Sequence, residues 1–525
     1  MGSDTSISVA SRATEGRSLH DPWRVLLWLT LGLTLARLLA LLISPLELYP
    51  DEAQYWLWSR DLAFGYYSKP PMLAWLIALT TGAGGDNEFW VRLSSPLLHA
   101  ATGLILFKVG ERLYDPQTAF WGGVLYLLMP GVQLSAGIAS TDAPLLFFAS
   151  LALWAYVAFQ DRPTARTALL AGLAMGGAFL SKYASLYLLI GVALHLLMVP
   201  SSRRGWTAAR IGSAVAGLAI VAAPNLIWNA LHDFSTVTHT AANADWNLSN
   251  LFHPGEALEF LASQTMVLGP VPLAVILIGT VRFGLRRFDI SEADRLLLAF
   301  VAPPLVLVFV QAFLSRANAN WAAVAYAPAV ILAAAWLLRW NARRWLLGGV
   351  AFQAFIALMV LVFAAWPPLA DRAGLGGSFK RVRGWETGTE RILAAAEALG
   401  PGTVIATDDR FLYNSLAYYG RDRLAAPGAP DLTMWVREAH AQNQAEAVDP
   451  LTVDQGQRVL MASIEARFRH EFVADFGQFG GWTDASVQLD PERTRDLAIG
   501  IGEDFRPQPR DPATGLPVAV SPTQP

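Results

Sequence analysis

Long apolar runs separated by short polar clusters dominate the first 366 residues. A helix that crosses a bilayer needs about 20 mostly apolar residues. Eleven stretches read as spans on that measure: 23–43, 90–113, 118–136, 143–160, 167–180, 183–200, 207–225, 263–283, 295–314, 322–340 and 345–366. Ser181-Lys182 splits 167–200 into two short spans rather than one long helix. The pattern changes after Trp366. Gly-Thr-Val-Ile-Ala-Thr at 402–407 reads as a buried strand entering a turn at Asp408-Asp409, with a helix over 410–419. The Pro-rich end, 505–525, reads as a disordered tail. No internal repeat is visible.

Charge sharpens this division. The chain is 54% apolar and 15% charged, against about 25% charged in a typical soluble domain. Residues 1–366 carry 23 Lys+Arg and 20 Asp+Glu, or 12%; residues 367–525 carry 16 and 22, or 24%. The expected molecule is an α-helical polytopic membrane protein with about eleven transmembrane helices and a small C-terminal α/β domain. Its parts are a cytoplasmic tail (1–22), a membrane domain (23–366) with a long first outer loop (44–89), a soluble domain (367–504) and a terminal tail (505–525). Neither half has the basic excess of a nucleic-acid binder. With no cysteine, disulfides, thiolate metal sites and cysteine nucleophiles are excluded.

Lys and Arg orient the chain. With the N-terminus cytoplasmic, 17 of them fall on the cytoplasmic side and five (Arg60, Lys69, Arg92, Lys182 and Arg316) on the other; Arg37 lies within the first span. This places the C-terminal domain outside.

The scarce outer charges are the candidates for chemistry. Asp51-Glu52 follows the first span, Asp142 opens the fourth, Lys69 lies in YYSKPPM and Lys182 in LSKYAS. Cations of this kind hold phosphates by charge-assisted hydrogen bonds, and a carboxylate accepts a proton from an attacking hydroxyl. Beside a bilayer, the natural phosphorylated substrate is a lipid. Plainer readings stand alongside. Asp51 and Asp142 both fit helix N-caps, Lys182 fits an ion-pair partner of Asp142, and Arg92 fits an interfacial anchor. The loop histidines, His232, His239 and His253, make no metal motif and read as solvated.

The run YPDEAQYWLWSRDLAFGYYSKPPMLAWL, followed in order by GDNEFWVRLSSPLLHA, ASTDAPLLFF, GLAMGGAFLSKYASLYLL, APNLIWNALHDF and RANANWAAVAYAP, resembles the GT-C glycosyltransferases of the family 39 type. These are relatives of protein O-mannosyltransferases, bacterial aminoarabinose transferases and lipopolysaccharide-core galacturonosyltransferases. The resemblance covers roughly residues 45–330. It implies a GT-C fold in the bacterial inner membrane, a polyprenyl-phosphate sugar as donor, and a site facing the periplasm. Asp51 is implied as the catalytic carboxylate, with Glu52 beside it and Asp142 as the second-loop acid. Lys69 is implied to contact the lipid phosphate, with Lys182 and Arg316 as further candidates. Tyr67, Arg92, Asn320 and Trp321 are candidates for substrate contact. Aminoarabinose transferases can carry an acid before Lys-Pro-Pro where this chain has Ser68, which weakens a metal site there. The expected reaction requires no cofactor, and a divalent metal lacks support.

The expected activity is an inverting transfer of sugar to lipid A, lipopolysaccharide core or another envelope glycan. The expected partners are that donor, a lipid or glycan acceptor and membrane lipids, with no nucleic acid. A protein O-mannosyltransferase-like enzyme is one alternative. A transporter or flippase of lipid-linked sugars is another, although such proteins place charges at the bilayer midplane and show repeats. A sensor working through its C-terminal domain is the third.

Overall fold

The computed structural model describes residues 21–246, 250–511 and 515–517. Nearly all of the expected N-terminal tail, and residues 512–514 and 518–525 of the C-terminal one, lie outside the described residues.

All eleven apolar stretches carry helices. The first is α1 (Pro22–Ile43), started by Asp21, whose side chain accepts from the Trp23 amide. The long first loop, 44–89, then forms α2 (Pro50–Arg60) and α3 (Met72–Gly84). Next come α4 (Glu88–Arg92) running into α5 (Ser94–Leu113), α6 (Pro116–Leu128), α7 (Pro130–Ser135), α8 (Asp142–Asp161) and α9 (Ala165–Ser181). They are followed by α10 (Tyr187–Met198), α11 (Ala208–Leu231), α12 (Ser235–Ala242), α13 (Pro254–Val267) and α14 (Pro270–Gly284). The last of the membrane part are α15 (Glu292–Leu314), α16 (Tyr326–Arg339) and α17 (Arg343–Ala365). Among the described residues, seven helical stretches are long and apolar enough to cross a membrane unaided.

The other four expected spans have identifiable irregularities. Pro130 and Pro270 split two of them into α6/α7 and α13/α14, because proline cannot donate the backbone hydrogen bond that would continue a helix. At the first split the Leu127 carbonyl accepts from Arg37 Nη2 and Gln133 Nε2, both at 2.7 Å. Arg37, 3% exposed within α1, thus satisfies backbone that the break leaves open. Lys182 takes an extended conformation (φ −164°, ψ 136°), ends α9 and separates it from α10, so 167–200 is two helices as expected. At the other end of the series, α11 continues to Leu231, six residues beyond the expected 225, with Pro224 inside it.

Helices α9 and α11 pack closely through glycine. A Cβ on Gly172 would lie 2.0 Å from the Ala214 carbonyl oxygen, and one on Gly217 2.5 Å from that of Leu169. Small residues allow such backbone approach in membranes. Gly172→Val is expected to cost about 1–3 kcal/mol, read as a lowered melting temperature in detergent. Gly212→Ala, with nothing within 4 Å of its added Cβ, serves as the tolerated control.

Beyond Trp366 come α18 (Pro367–Arg372), α19 (Trp385–Leu399), β1 (Val404–Thr407) and α20 (Arg410–Tyr419). The β-turn-α unit expected at 402–419 is present. Strands β2 (Asp431–Met434), β3 (Arg458–Ser463), β4 (Phe476–Asp484) and β7 (Ala498–Phe505) complete a sheet ordered β2-β1-β3-β7-β4. The first three are parallel, and β7 runs antiparallel to both its neighbours, β3 and β4. A hairpin of β5 (Val487–Asp490) and β6 (Arg493–Arg495) stands apart. The stretch assigned to a disordered tail starts differently: Phe505 ends β7, and Gln508 N and Arg510 Nη2 donate to Asp475 at 2.6 and 2.8 Å. Asp475 is fully buried, and a buried carboxylate needs such partners.

The sheet region rests on the long first loop, 44–89. Leu48 N donates to Tyr419 Oη at 2.6 Å, Trp385 N donates to Glu47 at 2.6 Å, and Trp56 packs edge-on against Tyr418. The carboxyl end of β1 therefore opens towards α2.

Candidate active site

Helix α2 presents Asp51, Gln54 and Tyr55 on one face, as i, i+3 and i+4 spacing requires. The helix begins at Pro50, and Asp51 makes no cap; its Oδ1 instead accepts from Arg410 Nη1 at 3.0 Å. Gln54 Oε1 accepts from the same nitrogen at 2.7 Å. Tyr55 beneath is buried, and burial together with the Asp51 charge pushes its pKa well up.

Glu52 points the other way. Its carboxylate takes Arg92 Nε at 2.9 Å and Nη2 at 2.8 Å, the Tyr49 amide at 2.8 Å and the Ala139 amide at 2.7 Å. Arg92 also donates to the carbonyls of Leu46 and Glu47. The two side chains are 1% and 4% exposed. Placed by sequence at the chemistry and on the substrate, Glu52 and Arg92 in this structure form an internal knot tying α2 to α4: Glu52 accepts four hydrogen bonds and Arg92 donates four, all within the protein.

Asp142 is engaged as well: Oδ1 accepts from Lys182 Nζ at 2.7 Å and Oδ2 from Asn320 Nδ2 at 2.6 Å. The ion-pair alternative for Lys182 is the one formed, and Asn320 serves Asp142 in this structure. Arg316 departs from expectation. It is 64% exposed, pairs with Asp245 at 3.3 Å, and lines neither cavity described next. It follows the surface end of α15, where water solvates its charge better than the groove would.

Two adjoining cavities meet at Ser68, Lys69, Asn243 and Trp321. One is a polar chamber of about 200 Å³ that contains Asp51, Gln54, Tyr67, His239 and Arg410. The other is a groove of about 540 Å³ between α10 and α15, lined by Lys182, Tyr183, Leu186, Tyr187, Leu307 and Val308 among others. The segment carrying Lys69 is pinned from α11 and α12. Asn225 Nδ2 donates to the Phe64 carbonyl and Thr236 Oγ1 to that of Tyr66, both at 2.6 Å. Among the described residues the Lys69 ammonium makes no hydrogen bond or ion pair. Burial and then the nearby Lys182 push its pKa down, so an anion placed against it would be welcomed.

Several lining residues escaped the sequence reading. Gln54 was findable from its helical spacing to Asp51. His239, expected to be solvated, is half-buried in the chamber, where burial, Lys69 and Arg410 hold its pKa down. Arg410, 359 residues after Asp51, and the amides Gln442, Asn443 and Gln444 come from the C-terminal region, and no local signal marks them. Tyr67 helps hold that region, donating through its hydroxyl to the Ala441 carbonyl at 2.6 Å and through its amide to Gln444 at 2.9 Å. Among the described residues no group of three or more His, Asp or Glu side chains is arranged to hold a metal.

Comparison with known proteins places the chain in a family. The family described as dolichyl-phosphate-mannose-protein mannosyltransferase matches residues 68–228. Lipid A galacturonosyltransferase RgtD of Rhizobium johnstonii is 38% identical over 397 residues, covering 75% of this chain and 82% of that protein. An undecaprenyl phosphate-alpha-4-amino-4-deoxy-L-arabinose arabinosyl transferase of Pseudomonas fluorescens is 31% identical over 150 residues, 25% of this chain and 27% of its own length. The crystal structures of ArnT from Cupriavidus metallidurans, apo and bound to undecaprenyl phosphate, share the fold: TM-scores are 0.62 and 0.61, identities 16% and 15%, and each covers 92% of this chain and 98% of ArnT. The chain belongs to the GT-C glycosyltransferases of the family 39 type, multi-pass membrane enzymes that take their sugar from a lipid-phosphate-linked donor.

Proposed function

We propose that this enzyme transfers galacturonic acid from a polyprenyl phosphate to lipid A on the periplasmic face of the bacterial inner membrane. The name of the Rhizobium relative supports the sugar and the acceptor, and the undecaprenyl phosphate bound by a protein of the same fold supports the lipid. The uneven split of Lys and Arg supports a cytoplasmic N-terminus and a soluble part, 367–504, on the outer side of the membrane part, 23–366.

One observation carries the reading: the ammonium of Lys69, unpaired among the described residues, stands where an apolar-lined groove meets a polar chamber holding a carboxylate. The isoprenoid lies in the groove, the phosphate against Lys69, and the sugar in the chamber. Lys182 supports the phosphate from the groove wall while Asp142 fixes its position. An acceptor hydroxyl oxygen attacks the sugar C1, the C1–O bond to phosphate breaks with inversion, and the hydroxyl proton passes to Asp51. The phosphate leaves with a second negative charge, which Lys69 stabilises. Glu52 and Arg92 hold α2 in place and touch no substrate.

Lys69→Met tests this in proteoliposomes supplied with galacturonosyl undecaprenyl phosphate and lipid A. Its kcat/KM is expected to fall about 10²–10³-fold, with lipid A from the wild-type reaction heavier by one hexuronosyl residue. Undiminished transfer by this variant refutes the reading. Movement of donor across sealed vesicles with no product bond favours a flippase instead.

A further inference from the structure

The polar chamber holds one more cation than the donor phosphate calls for. Lys69 stands at the junction with the groove, where the phosphate belongs; Arg410 approaches Asp51 and Gln54 from the C-terminal region. Arg410 is the first residue of α20, just past the carboxyl end of β1, the position at which open α/β sheets present ligand-binding groups. Asp409 caps that helix, accepting from the Phe411 amide at 2.7 Å and the Leu412 amide at 3.3 Å, and thereby sets the start of the helix. The guanidinium lies over the Phe411 ring, 4.4 Å from its centroid.

A single nitrogen, Nη1, makes the contacts to Asp51 and Gln54. Nε and Nη2 make no hydrogen bond among the described residues. That edge of the fork has two parallel N–H donors, the geometry that matches a carboxylate. We infer that Arg410 is a specificity-determining residue that reads the carboxylate of the donor's uronic acid sugar. This rests on the reading above that the donor is a galacturonosyl polyprenyl phosphate. The contact spans the two parts of the chain. Lys69 in the outer loop holds the phosphate common to every such donor, while the C-terminal region discriminates by sugar charge. A sugar bearing an ammonium group would meet Arg410 unfavourably, and a neutral sugar would leave its free edge unanswered. The raised positive potential also falls on His239, whose pKa Lys69 and Arg410 help to depress.

The test compares two donors differing only at C6, galacturonosyl and galactosyl undecaprenyl phosphate, with lipid A as acceptor and full-length enzyme in proteoliposomes. The wild type is expected to prefer the uronosyl donor. Arg410→Gln is expected to reduce the ratio of kcat/KM values (uronosyl over neutral) about 10–100-fold, chiefly through KM for the uronosyl donor. Arg410→Lys, which keeps the charge and loses the fork, is expected to recover part of the preference. A loss by one factor for both donors in both variants overturns the inference, because Arg410 would then only position Asp51. A wild type indifferent to the two donors overturns it too, leaving lipid-linked transfer intact. A wild type that turns over neither donor overturns the proposed function itself.

Discussion

Asp51→Asn is expected to lower kcat for lipid A modification by about 10²–10⁴-fold, the range for loss of a general base. The amide keeps the size of the side chain and its oxygen can still accept from Arg410, now without charge. The Asp51–Arg410 pair is about one-third exposed on each side, so its loss is expected to cost no more than about 1 kcal/mol of stability. The measurement is turnover of galacturonosyl undecaprenyl phosphate by purified enzyme, alongside a thermal melt in the same detergent. Near-normal turnover removes Asp51 from its role. A large drop in melting temperature would show instead that the aspartate is structural.

The neighbouring acid is expected to behave in the opposite way. Glu52→Ala strips the partner from Arg92, a guanidinium almost fully enclosed, and orphans the amides of Tyr49 and Ala139. Breaking a buried ion pair on one side costs about 3–5 kcal/mol, and here α2 loses its tie to α4, leaving Arg92 only the Leu46 and Glu47 carbonyls. The expected result is poor recovery from membranes and a markedly lowered melting temperature, with activity lost in proportion to folded protein. Glu52→Ala protein of wild-type stability that cannot turn over donor would place Glu52 in the chemistry. The two adjacent carboxylates are thus separable: one variant folded and inactive, the other failing to fold.

These contrasts mark how far the chain could be read in one dimension. Asp51 and Glu52 are identical in kind and adjacent, so sequence grouped them; only the direction of each side chain from α2 divides them. Lys182 was readable as either a phosphate ligand or a partner of Asp142, and the 2.7 Å contact makes it that partner while leaving it on the groove wall. Arg316 fits the pattern of scarce outer cations yet ends at the surface beside Asp245. His239 looked like a solvated loop histidine; it stands on α12, and no local pattern tells that this short helix lies against a cavity.

Local forces determined the rest directly. Apolar run length fixed the membrane helices, because lipid forces each segment to satisfy its own backbone hydrogen bonds. Lys182 fixed the break within 167–200, whereas the breaks at Pro130 and Pro270 fall inside stretches read as single spans. Apolar residues followed by Asp408-Asp409 fixed the β-turn-α unit, and the cost of charge near a bilayer singled out Asp51 and Lys69. Tertiary structure alone decided what those residues face. Arg410, roughly 360 residues from Asp51, enters the chamber because the sheet region docks on the outer loop. Such long-range contacts depend on packing between surfaces, which neither hydrophobic period nor local motif encodes.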